Sequence, residues 1–112
     1  ALACLRREIP AVHYMVAVAG GSSIRCAPYD TFGTPELAAG VLEALEDRTA
    51  CLMANHGLVA LGDSPGEALD RAVEVEALAA VYWRALQAGD PVILSDAEMA
   101  DVLDAFRDYR AD

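Results

Sequence analysis

The chain contains no lysine: all eight of its basic residues are arginine. Schiff-base chemistry on a carbonyl needs a lysine amine, and a P-loop needs its phosphate-binding lysine, so both are excluded within these 112 residues. A carbonyl substrate would have to be activated by a metal or by hydrogen-bond donors. Positive charge of any kind is scarce. Eight arginines face eighteen acidic residues, for a formal charge of −10 and a pI near 4.4. Residues 1–33 hold Arg6, Arg7 and Arg25 against Glu8 and Asp30, a balance of +1, and the remainder carries −11. No basic cluster marks a nucleic-acid footprint. Long apolar runs are missing too: Ala68–Leu86 is broken by Asp70, Arg71, Glu74, Glu76 and Arg84, so it is no membrane span. The start shows no signal-peptide pattern. Cysteines are few, odd in number and in no CxxC spacing. Cys4, Cys26 and Cys51 therefore read as reduced thiols of a cytoplasmic protein, packed as small apolar residues. What is abundant is apolar surface. At 55% hydrophobic the chain is no disordered acidic tail, and its length allows one domain or part of one.

Val12–Ala19 is a β-branched, aromatic and small apolar run closed by Gly20-Gly21, which predicts a buried strand. Ile24–Ala27 predicts a shorter second strand, ended by Pro28, and Tyr29-Asp30-Thr31-Phe32-Gly33 a loop. Thr34 as N-cap, Pro35 at the first helical position and Glu36 in the first turn predict a helix to about Glu46. Ala50–Ala54 reads as a strand, interrupted at Asn55-His56-Gly57 and resumed over Leu58–Leu61. Ser64-Pro65-Gly66-Glu67 and Ser95-Asp96-Ala97-Glu98 are capping boxes. The first opens a helix to about Ala88, stopped by Gly89 and Pro91; the second opens a helix to about Arg107. The class is α/β or α+β. Ala1–Leu5, followed by Arg6, Arg7 and Pro10, reads as the last turns of a helix already under way. So few strands would leave sheet edges unpaired. The expectation is a C-terminal part of a larger domain, whose upstream segment supplies the rest.

Three places could carry chemistry. His56, with Gly57 beside it, is either an imidazole aimed from a bulged strand at a metal or substrate, or a satisfied core histidine. Zinc needs three or four ligands, and the chain offers only His56, His13 and dispersed Cys and acid residues at no ligand spacing. Tyr14 is either a core tyrosine with a bonded hydroxyl or a general acid near a developing carbanion or alkoxide. Phe32 in its loop reads as a packed turn aromatic. Phe106 follows the spacing of Val102 and Leu103 into a core, and Tyr109 falls past the last helix.

Taken together in order, Ile9–Gly21 (IPAVHYMVAVAGG), Ile24–Thr34 (IRCAPYDTFGT), Asn55–Leu58 (NHGL) and Leu94–Glu98 (LSDAE) resemble the class II aldolase/adducin family. The likeness lies with its aldolases of L-fuculose phosphate. It covers essentially the whole chain, 1–112, matched to the C-terminal half of such a domain. It implies a three-layer α/β/α fold around a mainly antiparallel sheet, in a homotetramer with active sites between subunits. It implies zinc-dependent, reversible cleavage of L-fuculose 1-phosphate to dihydroxyacetone phosphate and L-lactaldehyde, the metal stabilising the enediolate as a Lewis acid. That agrees with the absence of lysine. By the same resemblance His56 is a zinc ligand and Tyr14 the catalytic proton donor across a subunit boundary. Phe32 and Tyr109 shape the aldehyde side of the substrate pocket. The HxH pair of further ligands, the acidic acid–base residue and the phosphate loops are expected before Ala1. Arg25 and Asp30 receive no role.

Two other readings compete. A sugar-phosphate epimerase or dehydratase of the same superfamily would use the same zinc frame, but the HYMVAVAGG and APYDTFGT runs favour the aldolase. An adducin-like binding module would have lost the metal, and retention of His56 and Tyr14 argues against it.

Overall fold

The computed structural model describes residues 1–111. Two short 3₁₀ segments, η1 (Leu2–Leu5) and η2 (Tyr14–Ala19), come first. Strand β1 (Cys26–Ala27), helix α1 (Pro35–Ala44) and strands β2 (Ala50–Met53) and β3 (Gly57–Ala60) follow, then helices α2 (Pro65–Ala88) and α3 (Asp96–Ala111). β2 is central: it runs parallel to β1, with Cys26 opposite Leu52, and antiparallel to β3, from Ala50 opposite Ala60 to Met53 opposite Gly57. An isolated antiparallel bridge between Ile9 and Ile24 lies at the first residue of the expected second strand, upstream of β1.

Successive strand side chains point to opposite faces, so β2 serves two cores. Ala50 and Leu52 pack with Val16 and Ala19 of η2, Val75 and Leu78 of α2, and Met99 of α3. Cys51 faces the other way, with Ala27, Val59 and the Val41 and Ala44 side chains of α1. Helix, sheet and helix therefore form three layers. This part of the sheet holds one parallel and one antiparallel pairing.

Capping residues set the helix starts. Thr34 Oγ1 accepts the Leu37 N–H (3.3 Å), and Ser64 Oγ the Glu67 N–H (3.1 Å). At α3 the box is reciprocal: Ser95 Oγ accepts the Glu98 N–H (3.1 Å) and Glu98 Oε1 the Ser95 N–H (2.9 Å). α1 ends at Ala44, two residues before its expected end, and α3 runs to Ala111. Tyr109 thus lies within α3 and not beyond it. Among the described residues no helix is long and apolar enough to cross a membrane.

Two further expectations are corrected. Val12–Ala19 is no strand; its C-terminal part is η2. A continuously apolar run has no period to separate strand from buried helix, and hydrogen bonds at its two ends, one local and the rest tertiary, decide. His13 Nδ1 accepts the Met15 N–H (3.1 Å) and opens the helical turn. At its end Thr49 donates through N–H to the Ala19 carbonyl (2.8 Å), while Thr49 Oγ1 and Arg71 Nε donate to the Val18 carbonyl (3.3 and 3.2 Å). Gly20, at φ 94, then reverses the chain. Asn55-His56-Gly57, likewise, is no bulge in one strand. Ala54-Asn55-His56 is the tight turn of a hairpin between β2 and β3, with Asn55 at φ 55. Asn tolerates that left-handed conformation better than most residues.

Candidate functional site

The hairpin turn is held on three sides. His56 N–H donates to the Met53 carbonyl (3.1 Å), closing the turn. Ala54 N–H donates to the Ala27 carbonyl (3.0 Å) and Asn55 N–H to the Ala3 carbonyl (2.8 Å), tying the turn to β1 and η1. A second turn lies against it. Thr34 donates twice to the Thr31 carbonyl, through Oγ1 (2.7 Å) and N–H (3.3 Å), and Gly33 takes φ 77. This fold-back presents Phe32 to solvent, 80% exposed.

Between the two turns is an open hollow of about 280 Å³ lined by Tyr29, Asp30, Phe32, Asn55 and His56. The His56 side chain is exposed and makes no hydrogen bond among the described residues. Both ring nitrogens are therefore open to a ligand, and His56 is not a satisfied core histidine. At the rim, Arg6 Nε donates to Asn55 Oδ1 (2.8 Å), and the Arg6 guanidinium lies 5.5 Å from the Tyr29 ring centroid. Burial raises the Cys26 thiol's pKa, an effect opposed by the positive charge of Arg6.

His56 and Phe32 are thus brought together, and Tyr14 and Tyr109 are not among the residues lining this hollow. Tyr14 is 51% exposed at the start of η2, its ring stacked on His13 with centroids 4.7 Å apart. It is not a core tyrosine. Tyr109 is 84% exposed near the end of α3. Tyr29, Asp30 and Asn55 line the hollow without a role assigned from sequence, although each sits within three residues of Phe32 or His56. Arg6 had no such signal, being 49 residues from its partner.

No group of three His, Cys, Asp or Glu side chains that could hold a metal ion forms among the described residues. The donor chemistry of His56 suits zinc as one ligand, with Asp30 in the same hollow, but these residues do not close a zinc site.

Residues 1–83 match the family described as the class II aldolase and adducin N-terminal domain. The chain is 55% identical over 108 residues to the 5-methylthioribulose-1-phosphate/5-deoxyribulose-1-phosphate aldolase of Rhodospirillum rubrum, covering 96% of this chain and 49% of that protein. It is 52% identical over 110 residues to the L-fuculose phosphate aldolase of Escherichia coli K12, covering 97% and 51% respectively. A solved structure of L-fuculose 1-phosphate aldolase matches it with a TM-score of 0.90 at 45% identity, over 95% of this chain and 50% of that one. The chain spans about half the length of the curated relatives it matches. Its three layers, its ordered motifs and a match across most of its length agree: the chain belongs to the class II aldolase/adducin family.

Proposed function

We propose that the chain is part of an aldolase that cleaves a ketose 1-phosphate between C3 and C4, releasing dihydroxyacetone phosphate and an aldehyde. The first substrate is L-fuculose 1-phosphate, giving L-lactaldehyde; the sequence motifs and the likeness to the L-fuculose phosphate aldolases support it. A second reading takes 5-deoxyribulose or 5-methylthioribulose 1-phosphate, favoured by the 55% identity to the Rhodospirillum rubrum enzyme. These substrates share the phosphorylated three-carbon end and differ only in the aldehyde half.

The observation that carries the reading is the hollow in which an unbonded imidazole, His56, and an exposed ring, Phe32, line the same space. His56 supplies one ligand to a divalent metal, zinc, whose other donors lie outside these residues. When bound, that ion polarises substrate oxygens as a Lewis acid. Phe32 walls the aldehyde side; Tyr109, which lies apart from the hollow within this chain, is assigned to the same side by the family resemblance. Tyr14, exposed on η2, delivers the proton across the subunit boundary of a cytoplasmic homotetramer.

The test supplies the purified full-length enzyme with L-fuculose 1-phosphate and, separately, with 5-deoxyribulose 1-phosphate. Dihydroxyacetone phosphate is followed by its reduction in a coupled assay. The expected result is formation from at least one substrate, abolished by a chelator and restored by zinc. No product from either, in assembled and zinc-supplied protein, removes the reading.

A further inference from the structure

We infer that Arg6 is a positioning residue that clamps the His56 turn, acting through the Asn55 side chain and the face of Tyr29. The inference rests on the proposal that His56 is a working ligand, and it goes beyond it by naming what holds that imidazole in place.

Three observations converge. First, Asn55 is the strained member of the turn, at φ 55, and it directly precedes His56. Asn tolerates the left-handed region better than most residues, and contacts from outside the turn help to hold it there. Second, two bonds act on that one residue from the same neighbour. Its N–H reaches the Ala3 carbonyl (2.8 Å) and its Oδ1 receives Arg6 Nε (2.8 Å), so η1 and its C-cap grip both the backbone and the side chain of Asn55. Third, Arg6 is itself located from two directions. It sits at φ 54 as the C-cap of η1, and its guanidinium lies 5.5 Å from the Tyr29 ring centroid. A planar guanidinium can stack on a ring and donate in its own plane at once, which an ammonium cannot reproduce.

Arg6 therefore ties the two walls of the hollow together. Tyr29 belongs to the loop that carries Phe32, and Asn55 to the turn that carries His56. The other candidates are weaker. The Arg25 and Arg48 guanidiniums at the end of α1 already donate to the carbonyls of Ala44, Glu46, Asp47 and Ser23. The exposed Leu69 and Val73 of α2 have nothing beside them to identify an occupant.

The experiment uses amide hydrogen exchange on the full chain, comparing wild type with Arg6→Met, Asn55→Gly and the double variant. Glycine adopts φ near 55° freely, so Asn55→Gly removes the side-chain contact without backbone strain. Exchange at Asn55 and His56 should rise by about 2- to 12-fold in each single variant, the change expected for one lost hydrogen bond. The Leu61 amide at the far end of the hairpin and the Ile24 amide of the bridge should stay unchanged. The double variant should not exceed Arg6→Met, since that substitution already removes the bond to Asn55 as well as the Tyr29 contact. Arg6→Lys should fail to restore wild-type exchange.

A uniform rise at all four amides would mean general destabilisation and would overturn the clamp. So would unchanged exchange at Asn55 and His56, or additive effects in the double variant. Metal content of full-length His56→Ala tests the ligand reading separately. Retained zinc there removes that reading but leaves the exchange result to judge the clamp.

Discussion

Tyr14 illustrates how exposure and bonding separate chemistry from packing at the level of one side chain. Its ring is half-exposed and stacked on His13, and the His13 ring is itself fixed by the Met15 N–H on Nδ1. A tyrosine retained for packing would be expected to bury its ring, so Tyr14→Phe should leave stability nearly unchanged. If the phenol delivers a proton in carbon–carbon cleavage, turnover in the full-length enzyme falls by about 10²–10⁴-fold, with zinc content and assembly normal. Steady-state rates in both directions, with metal analysis and sizing, check this; near wild-type rates reduce Tyr14 to a surface residue. The cysteines make the opposite contrast. Burial, with a smaller contribution from Cys26, pushes the Cys51 thiol up to about 11, while Cys4 is exposed. Only the thiolate is nucleophilic, so at mildly alkaline pH Cys51 stays inert. Alkylation of the folded protein followed by peptide mapping should label Cys4 first and Cys51 only after unfolding. Early labelling of Cys51 would contradict the buried position on β2.

At the level of elements, the reciprocal cap of α3 predicts a pH dependence. The Ser95 N–H, and secondarily its side chain, hold the Glu98 carboxyl below its ordinary value of 4.5. A carboxylate depressed in the folded state adds stability above its unfolded pKa and loses it as pH falls through the folded value. Thermal melts of wild type and Glu98→Gln should therefore differ near neutral pH and converge as the pH falls below 4.5 and through the depressed folded value. A gap that widens on acidification would refute the cap. Such ends were legible in the sequence because a capping box is a local signal: Ser64, Glu67, Ser95 and Glu98 act within one turn of their own backbone. η2 was not legible for the converse reason. Whether Val12–Ala19 extends or coils depends on donors from Thr49 and Arg71, more than 30 residues away. The site divides along the same line. His56 and Phe32 stand out in short motifs, whereas the clamp from Arg6 exists only once η1 meets the hairpin.

Considered as a whole molecule, the chain has its elements joined by a buried cation. Arg71 of α2 is 5% exposed. It donates through Nε to the Val18 carbonyl of η2 (3.2 Å), through one Nη to the Leu61 carbonyl after β3, and through the other to Glu67 Oε1 (3.2 Å). These partners differ in what they contribute. Glu67 is an i,i+4 neighbour with a side chain 40% exposed, and pairs of that kind add about 0.3–0.5 kcal/mol after solvent screening. The two carbonyls belong to other elements. Val18 keeps Thr49 as a second donor when Arg71 is removed, but the Leu61 carbonyl loses its side-chain donor. A bond from a charged donor contributes about 1.5–3 kcal/mol, less here because Leu61 is 45% exposed and water can replace the donor. Arg71→Met, which keeps the apolar stem, should therefore destabilise by about 1–3 kcal/mol, whereas Glu67→Gln should cost well under 1 kcal/mol. Urea unfolding with an unchanged m-value is the appropriate measurement, because it separates lost stability from altered compactness. Equal effects of the two substitutions would make the ion pair the main interaction. A negligible effect of Arg71→Met would mean that apolar packing and the Thr49 hydrogen bonds suffice to hold η2, the hairpin and α2 together.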